Sequence, residues 1–173
     1  LSDIKYIVDK NVDPRIAETE FLVACDVTNP LYGPDGAAFV YAPQKGASDE
    51  EVKLLDKGLR HMAKLIRSHF GFEVHNLSGS GAAGGMGAGA ITFLNAELSS
   101  GVELVKQMVS FDEKVKGADW IITGEGKLDS QTLSGKTIQG VLSSAHISGA
   151  SLAAFCGMIS MADARKELEI DYA

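Results

Sequence analysis

At 173 residues, 45 % hydrophobic and 23 % charged, the chain has enough apolar material for a packed core and suits one ordinary domain or one and a half. Its formal charge of −7, from 16 basic and 23 acidic residues, lacks the basic surplus of a nucleic-acid binder, so an anionic substrate would need a local site. No apolar run approaches the ~20 residues of a membrane-spanning helix, and Cys25 and Cys156, without metal-ligand or CxxC spacing, read as buried free thiols of a reducing compartment.

The chain opens at Leu1 without a signal-peptide pattern and reads as a stretch of a longer cytoplasmic protein. Residues 1–19 are mixed and polar, with a turn at Val12-Asp13-Pro14. Glu20–Val27 is a short apolar run that predicts a buried strand, and Thr28–Gly36, with two Pro and two Gly, predicts a loop. Ser48 and Glu51 have capping-box spacing and predict a helix to Ser68. Its apolar face carries Val52, Leu55, Leu59, Met62 and Ile66, its polar face Asp56 and Arg60, and Gly71 stops it. Phe72–Leu77 suggests a strand and Ala90–Glu97 a helix; Ser100 and Glu103 repeat the capping-box spacing and start another helix. From Ala118 the texture changes. A strand is read near Trp120–Thr123, ending in Thr123-Gly124-Glu125-Gly126, then a loop to Gly135, a helix over about Lys136–His146 and a second strand over Ser151–Phe155, which together predict a parallel βαβ unit. The domain boundary is placed near Lys116.

Four segments could carry chemistry. Gly79-Ser80-Gly81-Ala82-Ala83-Gly84 matches GxGxxG, but Glu73–Asn76 is a poor buried strand to precede a dinucleotide site. Three readings stay open: NAD binding, small residues at a tight packing contact, and a loop whose N–H groups face an anion. A tight loop passing into a helix near Gly84 to Gly89, packed closely on another backbone segment, is expected, because each Gly disfavours a free-standing helix by about 1 kcal/mol relative to Ala. Gly135-Lys136-Thr137 echoes the end of a P-loop, but Ser130 stands where the motif needs Gly. Lys136 is therefore either a solvated helix-start lysine or a phosphate contact.

Thr123-Gly124-Glu125-Gly126-Lys127-Leu128-Asp129 leaves a strand end with two carboxylates, the groups that phosphoryl transfer uses to hold Mg²⁺ and to accept a hydroxyl proton. Asp26 and Asn29 leave another strand end and suit either a site or a local Asx-type turn. The dispersed histidines, His61, His69, His75 and His146, are expected at the surface.

Three blocks together, Val23–Ser48, Gly79–Val105 and Ala118–Val141, resemble the glycerate kinase family of bacterial type in content, order and spacing. Family members are longer, and their N-terminal half carries further site blocks, so the chain resembles the middle and early C-terminal part. The resemblance implies an α/β fold: 1–116 mostly an inserted α/β domain, and 117–173 part of a flavodoxin-like parallel-sheet domain. It implies ATP-dependent phosphorylation of a glycerate hydroxyl, leaning to 2-phosphoglycerate, with ATP and Mg²⁺ as cofactors. The alternative is a nucleotide-binding module or an inactive fragment. Glu125 and Asp129 are the expected catalytic residues, Asp129 also the metal ligand. Asp26, Asn29, Gly79, Gly81 and Lys136 are the expected binding residues. Glycerate is the expected partner, with neither nucleic acid nor membrane, and self-association stays open.

Overall fold

The computed structural model describes residues 1–128 and 136–159. The chain forms two compact units, Leu1–Ser99 and Ser100–Ala173.

In the first unit, β1 (Leu22–Ala24) pairs in parallel with β2 (Glu97–Ser99), Leu22 opposite Glu97. The strand expected over Glu20–Val27 is thus present but short, and Leu22 and Ala24 are exposed rather than buried. The loop after it leads into a short helix, α1 (Ala37–Tyr41). The main helix, α2 (Asp49–Phe70), has the expected reciprocal capping box between Ser48 and Glu51, and Gly71 ends it with φ +81°. Val52, Leu59 and Ile66 are buried as its periodicity predicts, together with Leu31, Ala37, Val74 and Ala88. Leu55 is exposed, and Asp56, assigned to the polar face, is only 6 % exposed.

No strand forms over Phe72–Leu77; bends and turns occupy it, with Val74 fully buried in the core and Phe72 packed against it. The next helix, α3 (Ala82–Leu94), begins before the expected Ala90, and Glu97 belongs to β2 instead. Right-handed turns set in after Gly85, within the Gly84–Gly89 stretch where the glycine loop is expected to pass into a helix.

In the second unit, Ser100 caps α4 (Gly101–Met108), its hydroxyl accepting the Glu103 N–H at 3.3 Å. The other half of the box does not close, because the Glu103 carboxylate turns to Lys106 Nζ at 3.0 Å. Lys106 is 7 % exposed and also donates to the Gly140 carbonyl at 3.1 Å. That bond ties α4 to α6 (Lys136–Ser148), and Asp112 of α5 (Phe111–Lys114) joins through the Ser144 hydroxyl, 2.5 Å from its Oδ1. A Cβ on Gly140 would sit 2.9 Å from Val102, so the glycine admits α4. These ties hold residues 100–115 against α6 within the unit Ser100–Ala173.

The strands β3 (Trp120–Leu128) and β4 (Ser151–Ile159) pair in parallel around α6, as expected for a βαβ unit. Ile121, Leu152 and Ala154 form one core with Ile138, Leu142 and Ala145 of α6. Trp120, Ile122 and Phe155 are exposed. β3 runs through Leu128, beyond the strand end expected near Thr123–Gly126, and Gly124, Glu125, Lys127 and Leu128 pair with β4. Neither cysteine is buried; both are half-exposed free thiols. No described helix is long and apolar enough to cross a membrane.

Candidate functional site

The first unit joins two of the expected segments. The loop from Cys25 to Gly36 lies directly on the glycine turn. The Gly81 N–H donates to the Asn29 carbonyl at 3.0 Å, and the Leu31 N–H donates to the His75 carbonyl at 3.1 Å. A Cβ on Gly81 would fall 2.2 Å from the Pro30 carbonyl oxygen, and one on Gly79 would fall 2.8 Å from Cys25 Sγ. Gly87 repeats the pattern against the Gly79 oxygen at 2.1 Å. The expectation of a turn entering a helix against other backbone is met. Close packing accounts for the small residues at 79, 81 and 87, whatever else the turn does.

The dinucleotide arrangement is absent. No strand precedes Gly79, and α3 is broken at its start by three left-handed residues, Ala83, Gly84 and Gly85, with φ of 49°, 74° and 100°. A right-handed helix therefore starts only after Gly85. Ala83 is the costly member, because its Cβ crowds the following carbonyl.

Asn29 is held at both ends of its amide. Nδ2 donates to the Asp35 carbonyl at 2.9 Å, and Oδ1 accepts the Tyr41 hydroxyl at 2.6 Å. It is a structural staple of its own loop in the sense of the Asx-turn alternative, reaching six residues on. Asp26 is exposed just past β1.

Sequence reasoning missed the group beneath this loop. Asp56 accepts the Gly33 N–H and the Arg60 Nε, both at 2.6 Å. Arg60 lies 4.4 Å over the Tyr32 ring, and the His75 ring stacks on Tyr32 at 3.6 Å and 9°. Two groups so near one ring centre must take opposite faces, so Tyr32 is sandwiched. Ser80, fully buried, donates its hydroxyl to the His75 carbonyl at 2.8 Å. His75 is thus no surface histidine: its Nδ1 is buried without a hydrogen-bond partner, and burial, then the Arg60 charge, lower its pKa from the ordinary 6.5. His69 and His146 are exposed as expected, and His61 is half-buried with Nε2 2.6 Å from the Ile4 carbonyl. The i,i+4 spacing of Asp56 and Arg60 was the one signal available in sequence; nothing local marks Tyr32 or His75.

An apolar hollow of about 220 Å³ adjoins this region, lined by Ala37, Ala38, Tyr41, Leu59 and Gly84 with Lys45 as its one charge. It has no carboxylate to activate a hydroxyl.

In the second unit, Glu125 lies in β3 opposite Cys156, and Lys136 is the first residue of α6. Asp129 follows β3 directly and lies outside the described residues. Among the described residues, no three His, Cys, Asp or Glu side chains come together as metal ligands.

Parallel sheets, joined in the second unit by a helical crossover, define an α/β protein. The chain belongs to the Glycerate kinase family, whose model matches residues 1–173. It is 49 % identical to the glycerate kinase of Halalkalibacterium halodurans over 159 residues, 92 % of this chain and 42 % of that protein. It is 43 % identical to the glycerate 2-kinase of Escherichia coli over 141 residues, 82 % of this chain and 37 % of that protein. A crystal structure of a Salmonella typhimurium protein assigned as glycerate kinase 2 superposes with a TM-score of 0.81 at 34 % identity, covering 97 % of this chain and 48 % of that one. The chain thus spans under half the length of these relatives.

Proposed function

We propose that this chain is the middle and early C-terminal part of a cytoplasmic kinase that transfers the γ-phosphoryl group of ATP to a hydroxyl of glycerate, giving 2-phosphoglycerate. In that reaction the hydroxyl oxygen bonds to the γ-phosphorus, the bond from γ-phosphorus to the bridging oxygen breaks, and ADP leaves. The observation that carries the reading is the family match over the whole chain. The relative named glycerate 2-kinase supports the choice of hydroxyl. In this proposal residues 1–116 belong mostly to an inserted domain and 117–173 to a flavodoxin-like domain.

Glu125 and Asp129 serve hydroxyl activation, with Asp129 the residue for Mg²⁺. Lys136, at the start of α6, offers a cation to phosphate. Asp26, Asn29 and the Gly79–Gly81 turn line the substrate side, Asn29 through backbone its staple holds in place.

The test is ADP release by a full-length enzyme carrying this segment, with and without Asp129→Asn. The amide keeps the shape and removes the charge, and turnover falls about 10²–10⁴-fold. Unchanged turnover would remove Asp129 from the site. The 173-residue chain alone is expected to show no turnover, since it spans 42 % of the Halalkalibacterium enzyme. That coverage also favours the second reading, a nucleotide-binding piece without chemistry; calorimetric titration with ATP tests it directly.

A further inference from the structure

We infer that the Tyr32–His75 stack is a pH-sensitive clasp that holds the Asn29–Gly36 loop on the glycine turn, closed while His75 is neutral and loosened when its ring takes up a proton. His75 joins the two segments beside the Gly81–Asn29 contact. Its ring covers Tyr32 of the loop at 3.6 Å. Its carbonyl accepts both the Leu31 N–H of the loop and the Ser80 hydroxyl of the turn. Pulling the ring away therefore disturbs both sides of the contact at once.

The surroundings oppose a second proton. A neutral imidazole can carry its single proton on Nε2 and leave the buried Nδ1, which has no hydrogen-bond partner, unprotonated; an imidazolium must bury a charged N–H donor there with no acceptor, which costs more. The charges facing the ring do not offset this. Arg60, on α2, lies across Tyr32 and repels an imidazolium. Asp56, also on α2, is committed to Arg60 and to the Gly33 N–H. Glu73, before His75, pairs with Arg67 at 2.8 Å. The sign follows: the contact is at full strength above about pH 6.5, where an open His75 is already neutral, and weakens as pH falls from there toward the lowered pKa of the closed form. One proton weakens closure by at most about tenfold per pH unit.

The experiment is NMR on the 173-residue chain. The His75 ring is titrated, and amide exchange, corrected for intrinsic rates, is read at Leu31 and Gly81 at pH 7.5 and 5.5, with Leu59 and Ile66 of α2 reporting global opening. The expected results are a His75 midpoint below 6.5 and protection of Leu31 and Gly81 that falls by up to about tenfold while α2 changes less. His75→Phe keeps a flat ring on Tyr32 and should hold protection at pH 7.5 while losing the pH dependence. A midpoint at or above 6.5, pH-independent protection, or dependence that survives in His75→Phe would overturn the clasp. If His75→Phe does not fold, the wild-type midpoint and exchange decide alone. The test reads backbone exchange and stands whether or not the chain takes part in glycerate phosphorylation.

Discussion

Gly87 shows how little room the glycine turn leaves. Its missing side chain is filled by the Gly79 carbonyl, where an added Cβ would stand 2.1 Å from the oxygen. A backbone carbonyl cannot swing aside as a flexible side chain can, so Gly87→Ala must push apart the turn and α3. The expected loss is about 3 kcal/mol, the upper end for overpacking, read as a lower urea midpoint with unchanged slope. Gly84 is the control: nothing lies within 4 Å of its added Cβ, so Gly84→Ala has only its left-handed φ of 74° to contend with, a penalty of about 1–2 kcal/mol. If Gly87→Ala were no more destabilising than Gly84→Ala, the close approach would not be what fixes residue 87.

Elements with a local cause form where the sequence predicts them. The Ser48–Glu51 box starts α2 because both hydrogen bonds lie within three residues. Ser48→Ala should therefore cost about 1 kcal/mol, measured by thermal unfolding, with the α2 spectrum otherwise intact. A loss below a few tenths would mean that tertiary packing, not the cap, sets where α2 starts. Elements set by distant partners were less legible. Glu97–Ser99 became strand because the Phe21 carbonyl takes the Glu97 N–H and Ser99 takes Cys25, and no window around residue 97 contains that information. Gly124 and Gly126, turn signals by themselves, lie in β3 because β4 pairs with Gly124, Glu125, Lys127 and Leu128 around them. The candidate site divides the same way. The glycine turn and the Asn29 loop stood out by composition, whereas Asp56, Arg60, Tyr32 and His75 come together from α2, a loop and a turn.

At the scale of the whole molecule, β3 and β4 bury one face under α6 and leave Trp120, Ile122 and Phe155 open, Ile122 and Phe155 at 66 % and 70 % exposure. Parallel sheets are ordinarily covered on both faces, and contiguous exposed apolar surface drives association. The isolated chain is expected to associate with itself as its concentration rises. Ile122→Lys combined with Phe155→Lys should shift sedimentation toward monomer while leaving the α6-side core in place. A wild-type chain that stays monomeric at high concentration would show that this face is not adhesive.

The two sheets also differ in when they can form on a ribosome. β3, α6 and β4 leave the exit tunnel in sequence, and each element meets its partner within one crossover. β1 has no such neighbour: Leu22 pairs with Glu97, and at about 5–20 residues per second the partner emerges on the order of 4–15 s later. Through that interval the Leu22–Ala24 edge and the Cys25 thiol beside it lack their β2 partner. The first unit is therefore the part of the nascent chain that a chaperone has reason to hold, even though its largest helix is the best-specified element in the sequence.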